Sequence, residues 1–268
     1  FTGKPFNGQF TFPIERGTYN GIDIDLEPGN PNNALTTKYD DNWNLVGNPY
    51  PSAIDAEEFL VLNQTKIEGS IWIWKHGLAP NVLADPFYQD FVVNYSSNDY
   101  IKYNGLGSTE PDTFAGKIAS GQGFMVNMLE TASTPNTITF NNDLRKGTNY
   151  TLYNNSDFYR LSAPQALGSN EEKNRIWLDI INEASGQMDR TLVGYSTYST
   201  LERDHFYDCP FVPRSEVALF SLINNDNFII QGRPLPFDNE DIVPMGINIV
   251  AEGNHIIAIK KVDGIFSG

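Results

Sequence analysis

The most informative stretch of this chain is Ser70-Ile71-Trp72-Ile73-Trp74. Isoleucine alternates with tryptophan in it, and successive side chains of a β-strand point to opposite faces of the sheet. Both faces of the segment are therefore apolar, which is typical of a strand that is covered on both sides. The stretch predicts a central strand lying between two layers of the fold.

Short β-prone runs recur along the chain, and clusters of Gly, Pro, Asn and Asp separate them. One convincing helix begins after Asp55, whose side chain can cap the amide of Glu58, and Asn63 is expected to end it. An all-β fold with few short helices follows, because packed sheets bury many short, turn-linked strands. The other predicted strands are Gln9–Pro13, Trp43–Gly47, Gly123–Asn127, Thr137–Phe140, Arg175–Ile181, Val217–Ser221, Phe228–Gln231 and His255–Ile259.

The spacing of these strands predicts two β-sandwich domains of jelly-roll-like character, residues 1–146 and 147–268. The boundary falls at Lys146-Gly147-Thr148-Asn149, where polar turn residues separate a loop-rich half from a half with more regular strands. The second sandwich is expected to be short of strands at its C-terminal end. His255–Ile259 should then lie at a sheet edge, and Lys260-Lys261 beyond it would oppose unwanted strand pairing.

Composition narrows the classes of function. The 268 residues include 18 Lys and Arg against 33 Asp and Glu, a net charge of −15 at pH 7, and 13% are aromatic. So acidic a chain is unsuited to nucleic acid or to an anionic membrane, since both require a basic face. The aromatic content argues against intrinsic disorder because it supplies ample apolar surface for a core. With Cys209 as its one cysteine, the chain has no internal disulfide framework.

The sequence shows neither a membrane-span pattern nor a targeting pattern. No apolar run approaches the length of about 20 residues that a membrane-spanning helix needs, so we expect no such span. The opening Phe1-Thr2-Gly3-Lys4-Pro5 has neither an initiator methionine nor a signal-peptide pattern. We therefore expect the chain to be part of a longer, processed protein.

One longer segment is specific enough to indicate a family: Trp43-Asn44-Leu45-Val46-Gly47-Asn48-Pro49-Tyr50-Pro51-Ser52-Ala53-Ile54-Asp55. It resembles a block found in large secreted and cell-surface proteins of the Bacteroidota, which the type IX secretion system exports. In those proteins the block lies upstream of a C-terminal sorting domain. Further matches follow in the same order along nearly the whole chain: Ile71–Trp74, Asp99-Tyr100, Tyr103-Asn104, Ile118–Val126, Phe140–Asn142 with Arg145, Arg175–Leu178, Tyr207-Asp208, Ile230–Arg233 and Asp241–Gly246.

The resemblance implies an extracellular location on the outer side of the outer membrane. It implies other domains of the parent chain, and type IX secretion or surface-attachment components, as partners. The family continues beyond Gly264-Ile265-Phe266 with more strands and the sorting domain, which this sequence lacks. The resemblance carries no catalytic residue over to this chain.

The block itself has a structural explanation. Gly47 and Asn48 can adopt positive φ, and Pro49 and Pro51 fix the backbone on either side of Tyr50. The segment therefore predicts a strand followed by a stiff corner that Tyr50 fills. The same rigid corner could instead present the Tyr50 ring to a ligand.

The best candidate for a metal site is the acidic stretch around Asp23, Asp25 and Glu27. Carboxylates at alternate positions supply the hard oxygen ligands that calcium prefers, so calcium is the cofactor this stretch would bind. The order of an EF-hand fails, however, because Pro28 stands where that loop needs glycine. An exposed polar loop on an acidic protein is the alternative explanation.

Aromatic side chains in the first half are candidates for binding a sugar. Tyr100 and Tyr103 lie in a polar context and are expected to be exposed, whereas Trp72 and Trp74 fit a core strand. Tyr50, Tyr100 and Tyr103 together form the predicted ligand-binding set, and the predicted ligand is a polysaccharide. This expectation rests on analogy with sugar-binding sandwiches.

No set of residues in the sequence converges on a catalytic site. His76, His205 and His255 are far apart and have no zinc-binding spacing. Cys209 precedes Pro210 and is expected to be a buried thiol. The sequence therefore predicts a non-catalytic module of a secreted, cell-surface protein, with a stalk, adhesion or assembly role. The alternative is a carbohydrate-binding or accessory region of a secreted hydrolase whose catalytic domain lies outside this chain.

Overall fold

A computed structural model describes residues 7–17, 42–75, 99–146, 172–212, 217–249 and 252–267. β-Strands dominate these residues, which confirms the all-β prediction. The strands are β1 Phe10–Pro13, β2 Trp43–Gly47, β3 Ile54–Asp55, β4 Ile67–Trp74, β5 Tyr100–Asn104, β6 Gly107–Ser108, β7 Lys117–Ile118, β8 Gly123–Met128, β9 Thr137–Phe140, β10 Lys173–Asn182, β11 Met188–Ser196, β12 Cys209–Pro210, β13 Val217–Ile223, β14 Asp226–Pro234, β15 Met245–Ile249 and β16 His255–Val262.

Helices contribute little to the described residues. The α-helix α1 spans Ala56–Asn63, and short 3-10 helices span Asn142–Arg145 and Gly264–Ser267. In this part of the chain no helix has the length and apolarity to cross a membrane.

The first half of the chain forms an antiparallel sheet of five strands in the order β2-β8-β4-β5-β6. β4, which contains the stretch Ser70–Trp74, lies in the middle. Ile71 and Ile73 enter a core on one side of the sheet, and Trp72 enters a different core on the other side. The predicted strand between two layers is confirmed.

The first core lies between this sheet, α1 and the small sheet β1-β9. As predicted, α1 follows Asp55, whose carboxylate accepts a 3.0 Å hydrogen bond from the backbone of the first turn. Phe59 of the helix packs edge-on against Phe124 of β8, with ring centroids 5.2 Å apart. Asn63 ends the helix and exchanges two hydrogen bonds with the backbone of Thr139 in β9. Capping and packing therefore fix the helix together.

The second half forms a seven-stranded sheet. Six strands follow the order β15-β13-β14-β11-β10-β16, and β12 pairs with β14 beside them. The paired strands are antiparallel except for β11 and β14, which are parallel. Within the described ranges, no strand of residues 7–146 pairs with a strand of residues 172–267. The predicted domain boundary at 146–149 extends into residues outside those ranges.

A second core joins the two sheets. Trp72 and Leu106 from the first half share it with Trp177 and Leu192 from the second half. The indole Nε1 of Trp177 donates a 2.8 Å hydrogen bond to the carbonyl oxygen of Ser108. The two halves therefore bury apolar surface against each other, and their division into separate domains stays a prediction.

A loop of the second half also lies directly on the first sheet. The amide of Gly69 donates to the carbonyl oxygen of His205, and the amide of Gly105 donates to that of Phe206, both at 3.0 Å. A Cβ atom at Gly69 would lie 2.2 Å from the His205 oxygen, and one at Gly105 would lie 2.4 Å from the Phe206 ring. Glycine at these two positions is what allows the backbones to approach so closely.

Among the residues that the structure describes, β16 lies at the edge of its sheet with β10 as its neighbour, as the sequence predicted for His255–Ile259. Trp177 of β10 pairs with Lys261, and the next residue of β10 pairs with Ile259. Lys260 is therefore the extra residue of a β-bulge.

One face of the seven-stranded sheet carries a third apolar cluster, formed by Ile180, Val217 and Leu219. Ile180 belongs to β10, whereas the other two belong to β13, and these strands are not neighbours in the sheet. Contact between β10 and β13 therefore means that the sheet curls toward this face. We call the face that carries Ile180, Val217 and Leu219 the curled face.

Both edge strands place isoleucines on the curled face. Residues that pair across neighbouring strands point to the same face of the sheet. In β16, Ile257 and Ile259 pair with residues of β10 that point to the curled face, and in β15, Ile247 and Ile249 pair with residues of β13 that do so. We call these four side chains the isoleucine rim. They are substantially exposed: Ile247 53%, Ile249 39%, Ile257 55% and Ile259 67%.

The corner after β2 differs from the expectation. Neither Gly47 nor Asn48 has a positive φ. Instead, the Asn48 side-chain amide donates to the carbonyl oxygens of Ser52, Ile118 and Ala119 at 2.9, 3.0 and 3.0 Å. These hydrogen bonds hold the corner, so it requires no left-handed backbone.

Candidate functional site

A polar cavity of about 150 Å³ lies between the two halves of the chain. One wall comes from β5 and the residues near it, and the other comes from the start of β11. Three basic and three acidic side chains line the cavity: Lys75, Lys102, Arg190, Asp99, Glu110 and Asp189. This concentration of charge between two sheets makes it the candidate functional site.

Strand alternation explains how the first wall is built. In the ladder of β4 and β5, Lys102 lies opposite Trp72, and Tyr100 lies opposite Trp74. These side chains share the face that looks toward the second half of the chain, whereas Ile101 belongs to the first core. The same alternation that covers β4 on both sides therefore brings Lys102 and Tyr100 to the cavity.

Lys102 is a buried cation. Its side chain is 5% exposed, and Nζ lies 5.2 Å from the centroid of the Trp72 ring. Burial lowers the pKa of its ammonium group because the charged form loses hydration. The negative charge of Asp189 opposes this shift but does not cancel it. The amine therefore loses its proton more readily than an exposed lysine does.

Asp189 is the matching buried acid. It is 3% exposed, and its carboxylate accepts a 3.2 Å hydrogen bond from the amide of Leu219. Burial raises the pKa of Asp189 to about 6, although the positive charge of Lys102 acts in the opposite direction. This carboxyl group therefore changes its charge near neutral pH.

The other charges around the cavity form a chain of ion pairs. Arg190 of β11 lies opposite Asp179 of β10 and binds both carboxylate oxygens, at 2.5 and 2.8 Å. Its third nitrogen lies 3.0 Å from one oxygen of Glu110, whose other oxygen lies 3.1 Å from Lys75 Nζ. Bidentate pairs of this kind are among the strongest charged contacts in proteins. The chain of pairs ties the second sheet to the first half of the molecule.

The ion pairs of Arg190 and the two buried groups Lys102 and Asp189 determine what chemistry the cavity can support. Arg190 and Glu110 already neutralise their neighbours, so they act as a polar clamp. Burial lowers the pKa of Lys102 and raises that of Asp189 to about 6, so these two groups are the titratable candidates of the cavity. Tyr100 adds an aromatic ring to the same cavity.

The structure separates the three tyrosines that the sequence singled out. Tyr100 lines the cavity and packs edge-on against Trp74, with ring centroids 5.1 Å apart. The expectation of exposure is wrong for Tyr103, which is 8% exposed and packs against Phe114, because strand alternation turns it into the first core. Tyr50 is buried in the corner, and its hydroxyl donates to the carbonyl oxygen of Gly8 at 2.6 Å. Contact with a ligand stays a prediction, and Tyr100 is the member of the set that faces a cavity.

Asp23, Asp25 and Glu27, the predicted calcium ligands, lie outside the described residues. Among the residues that the structure does describe, no group of three or more His, Cys, Asp or Glu side chains is arranged to hold a metal ion. Cys209 is buried, as predicted, and burial raises the pKa of its thiol to about 11.

The sequence reasoning missed Lys102, Glu110, Asp189 and Arg190. Lys102 could have been found, because it stands two residues after Tyr100, a spacing that puts both side chains on the same face if the segment is a strand. The pair Asp189-Arg190 gave no such signal, since charged residues at the start of an apolar run are usually solvated. Their role depends on Asp179 of the neighbouring strand, which spacing along the chain does not reveal.

Comparison with protein families gives one match. The model of a family described as "Domain of unknown function (DUF8693)" matches residues 1–268. The chain belongs to that family. No curated protein and no solved structure matches this DUF8693 chain significantly.

Proposed function

We propose that this chain is a non-catalytic module of a secreted, cell-surface protein, exported by type IX secretion, that serves in assembly or adhesion. Support for the location and the export route comes from the resemblance of the segment Trp43–Asp55 and of the later matches along the chain. The module would present its β-structure to other domains of the parent chain or to surface-attachment components.

The observation that carries the assembly role is the isoleucine rim. Exposed pairs of large apolar side chains mark surfaces that can contact another protein, and each edge strand carries one such pair. Here they lie on both edge strands of one curled sheet, and edge strands also offer unpaired backbone groups. The predicted incomplete sandwich, short of strands at its C-terminal end, would have these properties.

The charged cavity supports a structural role for the contact between the halves. Arg190 is engaged on all three guanidinium nitrogens, by Asp179 and by Glu110. A residue held in this way by carboxylates from both halves stabilises the packing of two sheets. The two-sandwich interpretation of the fold belongs to the same proposal.

The proposal predicts that charge in the isoleucine rim detaches the protein from the cell surface. In cells that produce the parent protein, the double variant Ile257→Lys and Ile259→Lys should be exported but appear in the medium, since lysine cannot be buried at the contact without cost. The measurement is the fraction of protein that a membrane-impermeant reagent labels on intact cells.

The matched control is Ile242→Lys, at an exposed isoleucine outside the rim. It should leave the surface fraction unchanged. An unchanged surface fraction in the double variant would remove the assembly role.

A second candidate function, carbohydrate binding by an accessory region of a secreted hydrolase, is favoured by Tyr100. Its ring lines a cavity with polar walls, and sugars bind to aromatic rings flanked by hydrogen-bonding groups. Binding to a glycan array should be lost in Tyr100→Ala and kept in Tyr198→Ala, at an exposed tyrosine away from the cavity. An array without any bound glycan would end this candidate.

Calcium binding by Asp23, Asp25 and Glu27 is also proposed from the sequence alone. If these carboxylates hold calcium, a chelator should lower the melting temperature, because a ligand bound only by the folded state stabilises it. A melting temperature that the chelator leaves unchanged would remove the site.

A further inference from the structure

The ion pairs on one side of the polar cavity are balanced in charge. Arg190 and Lys75 are the cations of this group, and Asp179 and Glu110 are its carboxylates. Each of the four charges has an opposite charge within 3.1 Å. The group therefore carries no net charge, and the charge that a ligand would meet is set by the rest of the lining.

The other charged residues of the lining are not balanced. In the part of the chain that the structure describes, they are Lys102, Asp99 and Asp189, so one cation stands beside two carboxylates. All three are buried, and a buried carboxylate without an equal positive charge is costly. The raised pKa of Asp189 agrees with this, because the charge of Lys102 does not offset the loss of hydration. At neutral pH the cavity therefore has an excess of negative charge.

An aromatic ring in the lining adds to the attraction for a cation. The Tyr100 ring lines the cavity, and it packs against Trp72 and Trp74 with ring centroids 6.0 and 5.1 Å apart. Aromatic rings attract cations to their faces, as Trp72 does with Nζ of Lys102. A ring beside two buried carboxylates is suited to a positively charged group.

The size and geometry of the cavity narrow the kind of cation. Its volume of about 150 Å³ equals the share of about five water molecules, which is enough for a short alkyl chain with a polar end. The described carboxylates do not form a group of three or more that could surround a metal ion. A primary ammonium group needs no such arrangement, since its three N–H donors can reach separate carboxylates.

We propose that the cavity binds the primary ammonium group of a small alkylamine, with Asp99 and Asp189 as its carboxylate partners and Tyr100 as its aromatic contact. The proposal goes beyond the assembly function and does not depend on it. The bound ammonium would balance the charge of the lining. Because Asp99 belongs to the first half of the chain and Asp189 to the second, the ligand would also hold the two halves together.

The first test compares three ligands that share one alkyl chain. Calorimetric titration with n-butylammonium should give a dissociation constant of about 1 mM or lower. Butyrate and 1-butanol should bind about 10-fold more weakly or not at all, because neither supplies a positive charge. Butylammonium should also raise the melting temperature, since it binds the folded state. Failure of butylammonium to bind, or equally tight binding of butyrate, would overturn the proposal.

The second test assigns the binding to the named residues. Asp189→Asn and Tyr100→Leu should each weaken butylammonium binding, the first by about 10-fold or more because a buried partner of the ammonium loses its charge. Asp238→Asn, at an exposed carboxylate, should bind as wild type. The melting curve of each variant shows whether it is folded, and Tyr100→Leu keeps the test open if Asp189→Asn is not. Folded variants that both bind butylammonium as tightly as wild type would exclude this cavity as the site.

The same measurements separate the alkylamine from the glycan of the second candidate function. A chain that binds butylammonium and no glycan on the array would support the alkylamine. A chain that binds a glycan through Tyr100 and does not bind butylammonium would refute it.

Discussion

At the scale of single residues, two buried carboxyl groups affect stability most directly. Burial raises the pKa of Asp189 to about 6 and that of Asp208 to about 7. An aspartate in the unfolded chain titrates near pH 4, so the folded chain binds more protons between about pH 4 and pH 7. Their stabilising contribution is therefore complete below about pH 4 and is lost as the pH rises through 6 and 7.

This linkage predicts the behaviour of Asp189→Asn. The wild-type free energy of unfolding should fall between pH 5 and pH 8, and the variant should fall by about 1 kcal/mol less, because its amide does not ionise. The pH dependence of the unfolding free energy that remains in the variant is expected to come from Asp208. Urea unfolding at the two pH values measures the difference, and Asp238→Asn, at an exposed carboxylate, should behave as wild type. Identical slopes for wild type and Asp189→Asn would contradict the assignment.

Single residues also mark where sequence reasoning succeeded and failed. Asp55 was predicted as a helix cap because capping depends on residues within one turn. The role of Asn48 was not predicted, because two of the three carbonyl groups that it binds come from residues 118 and 119, far along the chain. Local chemistry is visible in a sequence, whereas a contact made by folding is not.

At the scale of elements, the docking of one loop on the first sheet depends on two glycines. Gly69→Ala should lower the free energy of unfolding by about 2 kcal/mol or more, because its Cβ would overlap the carbonyl oxygen of His205 and backbone must move to relieve the clash. Gly47→Ala is the matched control in a strand, since its Cβ would have no contact closer than 3.8 Å. Urea unfolding of both variants gives the comparison. Equal stabilities would show that the loop adjusts freely.

Strands were predictable from the sequence to the extent that their apolar residues alternate. β4 was predicted because Ile and Trp alternate in it without interruption, and β16 because it is almost entirely apolar before Lys260. β11 was missed because the charged pair Asp189-Arg190 follows directly on its first residue, Met188. Within the candidate site, Tyr100 was the one lining residue predicted, since the ion pairs of the cavity depend on the packing of two distant halves.

At the scale of the whole molecule, the shared core should make the two halves unfold together. Trp177→Ala removes the largest side chain of the second half from that core, together with its hydrogen bond to Ser108. We expect a loss of about 3–5 kcal/mol, felt by amides of both halves in hydrogen exchange. Trp74→Ala, at a partly exposed tryptophan, should cost less. Two separate melting transitions in the wild type would instead support independent domains.

The hydrogen bond between Trp177 and Ser108 spans 69 residues, and the core around it has a consequence for how the chain folds. Synthesis from the N-terminus completes β4 and β5 long before β10 and β11 exist. The Trp72 face of the first sheet therefore stays exposed to water until the later strands are synthesised. Contacts so far apart in sequence also slow folding, since a large loop must close before they form. We therefore expect the emerging chain to pass through a period in which its first sheet exposes apolar surface that is prone to aggregation. Protection of that surface from aggregation should increase the fraction of the chain that reaches the native state.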